Sequence, residues 1–149
     1  MDLLRDMTDS LVNPHAQRLG YLLRRASAEI MAELGRTLEA IGLRPVEASI
    51  LTAIGSNPGC TQSDIGRMLG IQRANMAPLI SGLFTRDLIV KSKIDGRTHA
   101  LMLTQSGTAK AREAEAAMSH NEEQIRTLLG DDLSAALLSV LQDFRLSAN

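Results

Sequence analysis

Apolar residues recur at three- and four-residue steps along most of the chain, a spacing that places them on one face of an α-helix. The first such stripe predicts a long helix over residues 14–41, with Asn13 as its cap, and Pro45 opens a second helix. The cluster of Gly, Ser, Asn and Pro at residues 55–59 ends that second helix. Further helices are predicted over residues 61–69, 72–86 and 104–129, and after a cap at Asp131 or Asp132. The apolar residues expected to face inward on the second, third and fourth helices are Val46, Ile50, Leu51, Ile54, Ile65, Met68, Leu69, Met76, Leu79, Ile80 and Leu83.

One segment departs from the helical period. Residues 88–94 are rich in β-branched side chains, and residues 98–103 form a second strand-like run after the turn dipeptide Asp95-Gly96. Such a dipeptide between two such runs predicts a two-stranded hairpin. Residues 61–69 and 72–86 flank the tight turn Gly70-Ile71, so two short helices precede a basic hairpin. This order is typical of a winged helix-turn-helix, whose second helix enters the major groove of DNA.

The expected fold is therefore mainly α with a small β-hairpin wing. We expect an N-terminal segment and dimerisation helix over residues 1–44, a winged helix-turn-helix over 45–104, and C-terminal dimerisation helices over 105–149. The apolar stripes of the first and last helices favour a homodimer over a core closed within one chain. A two-fold dimer would place two recognition helices about 34 Å apart, one duplex turn, on a palindromic site.

Composition and charge narrow the class of molecule that the chain could bind. The chain has 149 residues and a net charge of -1, but residues 60–105 carry +3 between an N-terminal flank at -1 and a C-terminal flank at -3. A basic island of this kind attracts phosphate backbones. Aromatic residues are 2% of the chain, which argues against binding single strands by base stacking. The chain lacks a signal-like start and an apolar run of roughly 18 residues, so we expect a cytoplasmic protein without a membrane partner.

The wing motif resembles a known family. Asp95-Gly96-Arg97 is followed by the run Leu101 to Thr104 and by Gly107, and residues 61–66 also fit. From about residue 19 to 144, the chain resembles the multiple antibiotic resistance regulator (MarR) family of bacterial transcription factors. The resemblance implies that Arg97 contacts the minor groove while Asp95 holds Arg97 in place. The chain departs from the family at Asp87, where glycine is frequent, and at Pro78 inside the recognition helix.

The DNA-binding candidates come from the two helices and the wing. By resemblance, Thr61, Gln62 and Ser63 meet phosphates, and residues of the fourth helix lie in or near the major groove. Arg and Asn side chains are the types that read guanine and adenine edges. The full predicted set is Thr61, Gln62, Ser63, Gln72, Arg73, Asn75, Ser81, Arg86, Lys91, Lys93, Asp95, Arg97 and Thr98.

The resemblance also implies control by a small molecule that releases a repressor from its operator. Anionic aromatic acids or their coenzyme A thioesters are the expected ligand classes. The basic side chains Arg24 and Arg25, together with His15, are the candidates to meet such an anion. No cofactor is expected.

Two other functions remain open at this stage. Cys60 precedes a helix start that could lower its pKa, so a redox-sensing regulator is one alternative. A helical interaction module that does not bind DNA is the other. An enzyme is not expected, because His15, His99 and His120 lack metal-ligand spacing and no nucleophile elbow or phosphate-binding glycine loop occurs, so no catalytic residue or metal site is predicted.

Overall fold

A computed structural model describes residues 11–144 of the chain. Within this range the fold is mainly helical with a small antiparallel sheet, which confirms the expected fold class. The elements in chain order are α1 (Leu19–Glu39), α2 (Pro45–Ser56), β1 (Cys60–Thr61), α3 (Gln62–Leu69), α4 (Arg73–Thr85), β2 (Ile89–Asp95), β3 (Thr98–Leu103), α5 (Gln105–Leu129) and α6 (Asp131–Gln142).

Two compact units divide after Ala32, inside α1. In the first unit, α1 begins at Leu19 rather than at residue 14 as predicted. The Asn13 side chain accepts a hydrogen bond from the backbone N–H of His15, and Arg18 donates to the His15 carbonyl. These local bonds hold a turn that competes with the first helical bonds, so the apolar stripe overestimates the length of the helix.

The core of the second unit lies between α2, α3, α4, the sheet and α5. Burial within this core confirms the predicted inner faces of α2 and α4. The largest fully buried side chains of the core are Leu38, Ile50, Leu51, Ile54, Ile65, Met76, Ile80, Leu83, Ile89 and Leu101. Met68 was predicted to face inward and is 56% exposed. The buried arc of α3 runs through Ile65 and Gly66, and Gly66 packs against the side chain of Met76.

The sheet has three strands in the order β1-β3-β2, one more than the predicted hairpin. Strand β1 is only two residues long, with Cys60 opposite Leu101, so no periodic pattern in the sequence marks it. Asp95 pairs with Thr98, and the loop is therefore Gly96-Arg97 rather than Asp95-Gly96. A register shift between Lys93 and Asp95 accounts for this one-residue displacement.

Threonine side chains cap the starts of α3 and α5. Thr61 caps α3, because its hydroxyl accepts from the Asp64 N–H at 3.2 Å while the Asp64 carboxylate accepts from the Thr61 N–H at 2.9 Å. Thr104 caps α5 in the same position. The cap of α6 is Gly130, and the predicted cap residues Asp131 and Asp132 instead lie in the first turn, where a negative charge favours the helix dipole.

The wing joins the helices through a close backbone contact. Asp87 has a positive φ of 56°, the conformation that glycine adopts most easily, which explains why glycine is frequent there in the family that the sequence resembles. The hydroxyl of Thr104 donates to the Asp87 carbonyl at 2.6 Å. A side chain at Gly107 would collide with the backbone of Leu88, with its Cβ only 1.8 Å from the Leu88 carbonyl oxygen. The start of α5 is thus packed directly on the start of the wing.

Candidate nucleic-acid interface

A shallow concavity separates α3 from the start of α4. Gly70 ends α3 in the left-handed conformation, with φ at 66°, and turns the chain into α4. The concavity has a volume of about 440 Å³, and it brings together four predicted contact residues, Gln62, Ser63, Gln72 and Arg73. The two helices of the predicted helix-turn-helix therefore present their polar residues to one common surface.

Helix α4 has one buried and one exposed face. Met76, Ile80 and Leu83 anchor the helix in the core. Arg73, Asn75 and Ser81, which the sequence predicts to lie in or near the major groove, are all exposed. The helix continues through Pro78 without interruption from Arg73 to Thr85. Burial of one face consequently leaves the other face of α4 available to a groove.

The wing displays the basic residues that the sequence predicts. Lys91, Lys93, Arg97 and Thr98 are exposed on β2, on β3 and in the loop between them. The ammonium of Lys91 lies 4.9 Å from the centre of the Phe84 ring at the end of α4, a cation–π contact. Among residues 11–144 no ion pair or hydrogen bond joins Asp95 to Arg97, so the contact implied by the family resemblance is not formed in this free chain.

Two residues near α3 form bonds with Asp64 within the chain. The hydroxyl of Thr61 donates to the Asp64 carboxylate at 2.7 Å, so Thr61 serves the cap as well as lying near the surface. Arg67, which the sequence did not single out, lines the same concavity and donates to Asp64 at 2.6 Å. These bonds, first from the Thr61 side chain and backbone and then from Arg67, hold the pKa of Asp64 below its ordinary value. The three-residue spacing of Asp64 and Arg67 is the signal that could have identified the pair.

Arg86 takes a different place from the one the sequence gives it. Its guanidinium donates to the Gly42 carbonyl at 2.6 Å and approaches the Glu47 carboxylate at 3.4 Å. Both acceptors lie before or at the start of α2, outside the surface formed by α3, α4 and the wing. These bonds engage the Arg86 guanidinium within the chain, and the direct DNA contact expected there stays a prediction.

The three ligand candidates lie around Tyr21 in the first unit. The His15 ring is 5.7 Å from the Tyr21 ring, and the Arg24 guanidinium is 5.4 Å from the same ring. Asn13 donates to the Tyr21 hydroxyl at 2.9 Å. This hydrogen bond, with contributions from Arg25 and Arg24, lowers the pKa of Tyr21 against a small effect of burial. Sequence reasoning missed Tyr21 and Asn13, although both lie within eight residues of a candidate.

The described part of the chain contains neither a metal-binding cluster nor a helix that could span a membrane. Residues 11–144 contain no group of three or more His, Cys, Asp and Glu side chains arranged to hold a metal ion. Over the same residues, no helix combines the length and the apolar character that crossing a bilayer requires.

Comparison with known proteins gives three independent similarities. The family model described as "MarR family" matches residues 41–98. A protein of Thauera aromatica named as a transcriptional regulatory protein for the hcr operon is 25% identical over 140 residues, covering 92% of this chain and 84% of its own length. The transcriptional repressor CouR, solved with a 23-mer DNA duplex, is 34% identical and has a TM-score of 0.81, with 89% of this chain and 96% of that chain covered.

CouR has also been solved with p-coumaroyl-CoA. That structure is 32% identical to this chain, with a TM-score of 0.81 and the same coverage of 89% and 96%. Because each CouR complex covers 89% of this chain, the similarity extends beyond the winged segment.

Cys60 lies half-buried in β1, next to the cap of α3. Burial raises the pKa of its thiol, and the negative charge of Asp64 raises it further. The sequence suggested that the nearby helix start could lower this pKa, and the structure contradicts that expectation because burial and the charge of Asp64 both raise it. A thiol with a raised pKa is a weak nucleophile at neutral pH, which argues against redox sensing.

We expect Cys60 to alkylate slowly and at unusually high pH. The rate of iodoacetamide addition to the folded chain should rise with a midpoint above the ~8.5 of a free thiol, because the thiolate is disfavoured by burial and by Asp64. Mass spectrometry across a pH series measures the rate, and the same chain in urea is the control. A folded-state midpoint at or below that of the unfolded chain would restore the redox alternative.

Proposed function

The chain belongs to the MarR family of transcriptional regulators, and from this premise we propose that it is a repressor that binds a palindromic DNA duplex as a homodimer and is released by a small molecule. The observation that carries the proposal is the exposed concavity formed by α3, the Gly70 turn and α4, with the basic wing in contact with the end of α4 through Lys91 and Phe84. Polar and basic side chains converge there, while the inner face of α4 is buried in the core.

Recognition of the duplex follows from the shape of this surface. The major groove is about 12 Å wide and admits one helix, so α4 can enter with Arg73 and Asn75 toward base edges. Gln62 and Ser63 lie at the start of α3, where exposed backbone N–H groups and the helix dipole favour a phosphate. Lys91, Lys93 and Arg97 on the wing extend the basic surface along the duplex. We propose residues 45–104 as the DNA-binding part of the chain.

Unpaired cations support this assignment. Arg73, Lys91, Lys93 and Arg97 take part in no ion pair with any residue between 11 and 144. Their charge is therefore available to replace counterions on DNA, although the whole chain has a net charge of -1. Such a partner is met in the cytoplasm of a bacterial cell, which is the location that we propose.

Dimerisation is supported by apolar side chains that the single chain leaves in water. On α6, large hydrophobic residues are about half-exposed, and they are Leu133, Leu138, Val140 and Leu141. Leu19, Leu22 and Leu23 on α1 are also exposed. Exposed apolar surface of this kind marks a contact with another molecule. We propose that residues 1–44 and 105–149 provide the interface between two copies of the chain.

The ligand proposal rests on the cluster around Tyr21. Arg24, Arg25 and His15 supply positive or protonatable groups beside an aromatic ring, a combination suited to an anionic aromatic acid or its coenzyme A thioester. CouR, the structural relative bound to p-coumaroyl-CoA, supports the same ligand class. Release of DNA needs only that the ligand bind more tightly to the DNA-free arrangement, and a difference of 1–3 kcal/mol changes affinity roughly 5- to 150-fold.

Two arginine substitutions test DNA binding. Against a duplex selected by the wild-type chain from a random library, Arg97→Ala should weaken binding by about 1–3 kcal/mol whatever the sequence, since it removes a groove contact. Arg73→Ala should weaken binding by a similar amount and also relax base preference. Fluorescence anisotropy measures both, and Arg126→Ala, an exposed α5 arginine paired with Glu122, is the control. Absence of duplex binding at low salt would instead favour the helical interaction module.

A charge on α6 tests the dimer. Leu138→Glu should convert the protein from a species of twice 16.1 kDa to one of 16.1 kDa, because it buries a carboxylate in the proposed interface. Sedimentation velocity measures the mass. Met68→Glu introduces the same charge at an exposed position on α3 and should stay dimeric. A wild-type chain that sediments as a monomer would contradict the proposed assembly.

The ligand class can be tested by thermal unfolding. Benzoate- and cinnamate-type acids and their coenzyme A thioesters should include a compound that raises the melting temperature and displaces the selected duplex. At 100 times its dissociation constant, such a ligand stabilises the fold by about 2.7 kcal/mol. Replacing Arg24 and Arg25 with Ala should abolish the shift, whereas Arg36→Ala on the same helix should not. A stabilising compound that leaves DNA affinity unchanged would contradict control of the repressor by this ligand class.

A further inference from the structure

Arg86 ends the recognition helix and reaches away from the surface that faces DNA. Its backbone N–H donates to the Gly82 carbonyl and closes the last turn of α4. Its side chain then spans to the segment between α1 and α2, where Nη2 donates to the Gly42 carbonyl at 2.6 Å and Nη1 lies 3.4 Å from Glu47 Oε2. One side chain therefore connects the end of α4 with two other elements.

The Glu47 carboxylate is also held by two bonds from Arg44. Glu47 is only 7% exposed, and its Oε2 accepts from the Arg44 backbone N–H at 2.9 Å while Oε1 accepts from the Arg44 guanidinium at 3.0 Å. Burial by itself raises the pKa of Glu47, but the bonds from Arg44 and the charges of Arg44 and Arg86 outweigh it and hold the pKa below its ordinary value. The carboxylate is thus a fixed, charged anchor at the start of α2.

The second acceptor belongs to the turn that ends α1. Gly42 has a φ of 70°, and its N–H donates to the Glu39 carbonyl in the last turn of the helix. Arg86 consequently fixes the end of α4 relative to both the end of α1 and the start of α2. On the other side of the same junction, the Thr104 hydroxyl holds the Asp87 carbonyl at 2.6 Å.

From this arrangement, and given the proposed DNA-binding function, we infer that Arg86 is a positioning residue that sets the angle of α4 against the rest of the chain and does not itself contact DNA. Its guanidinium donates to Gly42 and Glu47 inside the chain, so these donors are not directed at a phosphate. Its effect is on how well Arg73 and Asn75 align with base edges, which changes specific binding more than non-specific binding.

The salt dependence of binding separates a positioning residue from a phosphate contact. The duplex selected by the wild-type chain and a random-sequence duplex of equal length are titrated by anisotropy at several salt concentrations. Arg86→Gln should reduce the ratio of selected to random affinity by about tenfold and leave the slope of log K against log salt unchanged. Lys91→Gln, the matched control on the wing, should weaken both duplexes alike and reduce the slope by about 0.9.

Two further variants make the test independent of folding losses. Arg86→Lys keeps the charge but offers one nitrogen where two acceptors must be held, so it should behave like Arg86→Gln, whereas a phosphate contact would survive the change. Glu47→Gln should give the same loss of ratio, and the double variant Glu47→Gln with Arg86→Gln should be no worse than either single variant. Circular dichroism at the assay temperature verifies that each variant is folded.

Several results would overturn the inference. A slope reduced by about one in Arg86→Gln, or normal binding by Arg86→Lys, would show that Arg86 contacts a phosphate. Unchanged selectivity in Glu47→Gln would show that the anchor is not used. If the wild-type chain does not prefer the selected duplex to the random one, the proposed function fails, and this inference fails with it.

Discussion

The path of the backbone through Asp87 and Leu88 is the constraint on which the DNA-facing surface depends. The Leu88 N–H donates to the Leu83 carbonyl in the last turn of α4, so the wing starts directly from the recognition helix. Thr104 holds the Asp87 carbonyl, and Gly107 leaves room for the Leu88 backbone. Under the proposed function, α4 and the wing meet adjacent parts of one duplex, so a fixed angle between them favours binding. A non-glycine residue with a positive φ at Asp87 indicates that the surrounding bonds, rather than local preference, impose this path.

Most of the fold could be predicted wherever a periodic apolar pattern records burial. The inner residues of α2 and α4 meet the core directly, so sequence and burial agree there. The hairpin meets the core only at Ile89 and Leu101. The prediction was wrong where burial depends on a partner element. Met68 falls outside the buried arc of α3, and the two residues of β1 are a strand only because Leu101 lies opposite Cys60. The turn at Gly96-Arg97 was misplaced by one residue because a register shift within β2 leaves no mark on composition.

At the candidate site, the sequence predicts which side chains are exposed but not which side chains pair with one another. Sequence reasoning identified exposed polar residues on α4 and the wing, because the pattern of an amphipathic helix or a basic hairpin indicates which side chains face the solvent. Sequence reasoning could not identify which of the basic side chains form ion pairs within the chain. Arg86 and its partner Glu47 are 39 residues apart, and only the tertiary fold brings them within 3.4 Å. In the cluster around Tyr21, the sequence pointed to the basic members but not to Tyr21 itself, since a lone tyrosine in a helix gives no indication of its polar neighbours.

These ion pairs reduce the number of unpaired cations in the basic segment of residues 60–105. Of its six cations, Arg67 is bound to Asp64 and Arg86 to Glu47, which leaves four at the start of α4 and on the wing without an ion pair in the described chain. Four cations neutralise few phosphates, and the counterions that they release give only moderate affinity. Under the proposed assembly, tight binding then requires that both copies engage the duplex at once. A ligand that disturbs the alignment of one copy removes half of these contacts, so a small structural change is sufficient to release the DNA.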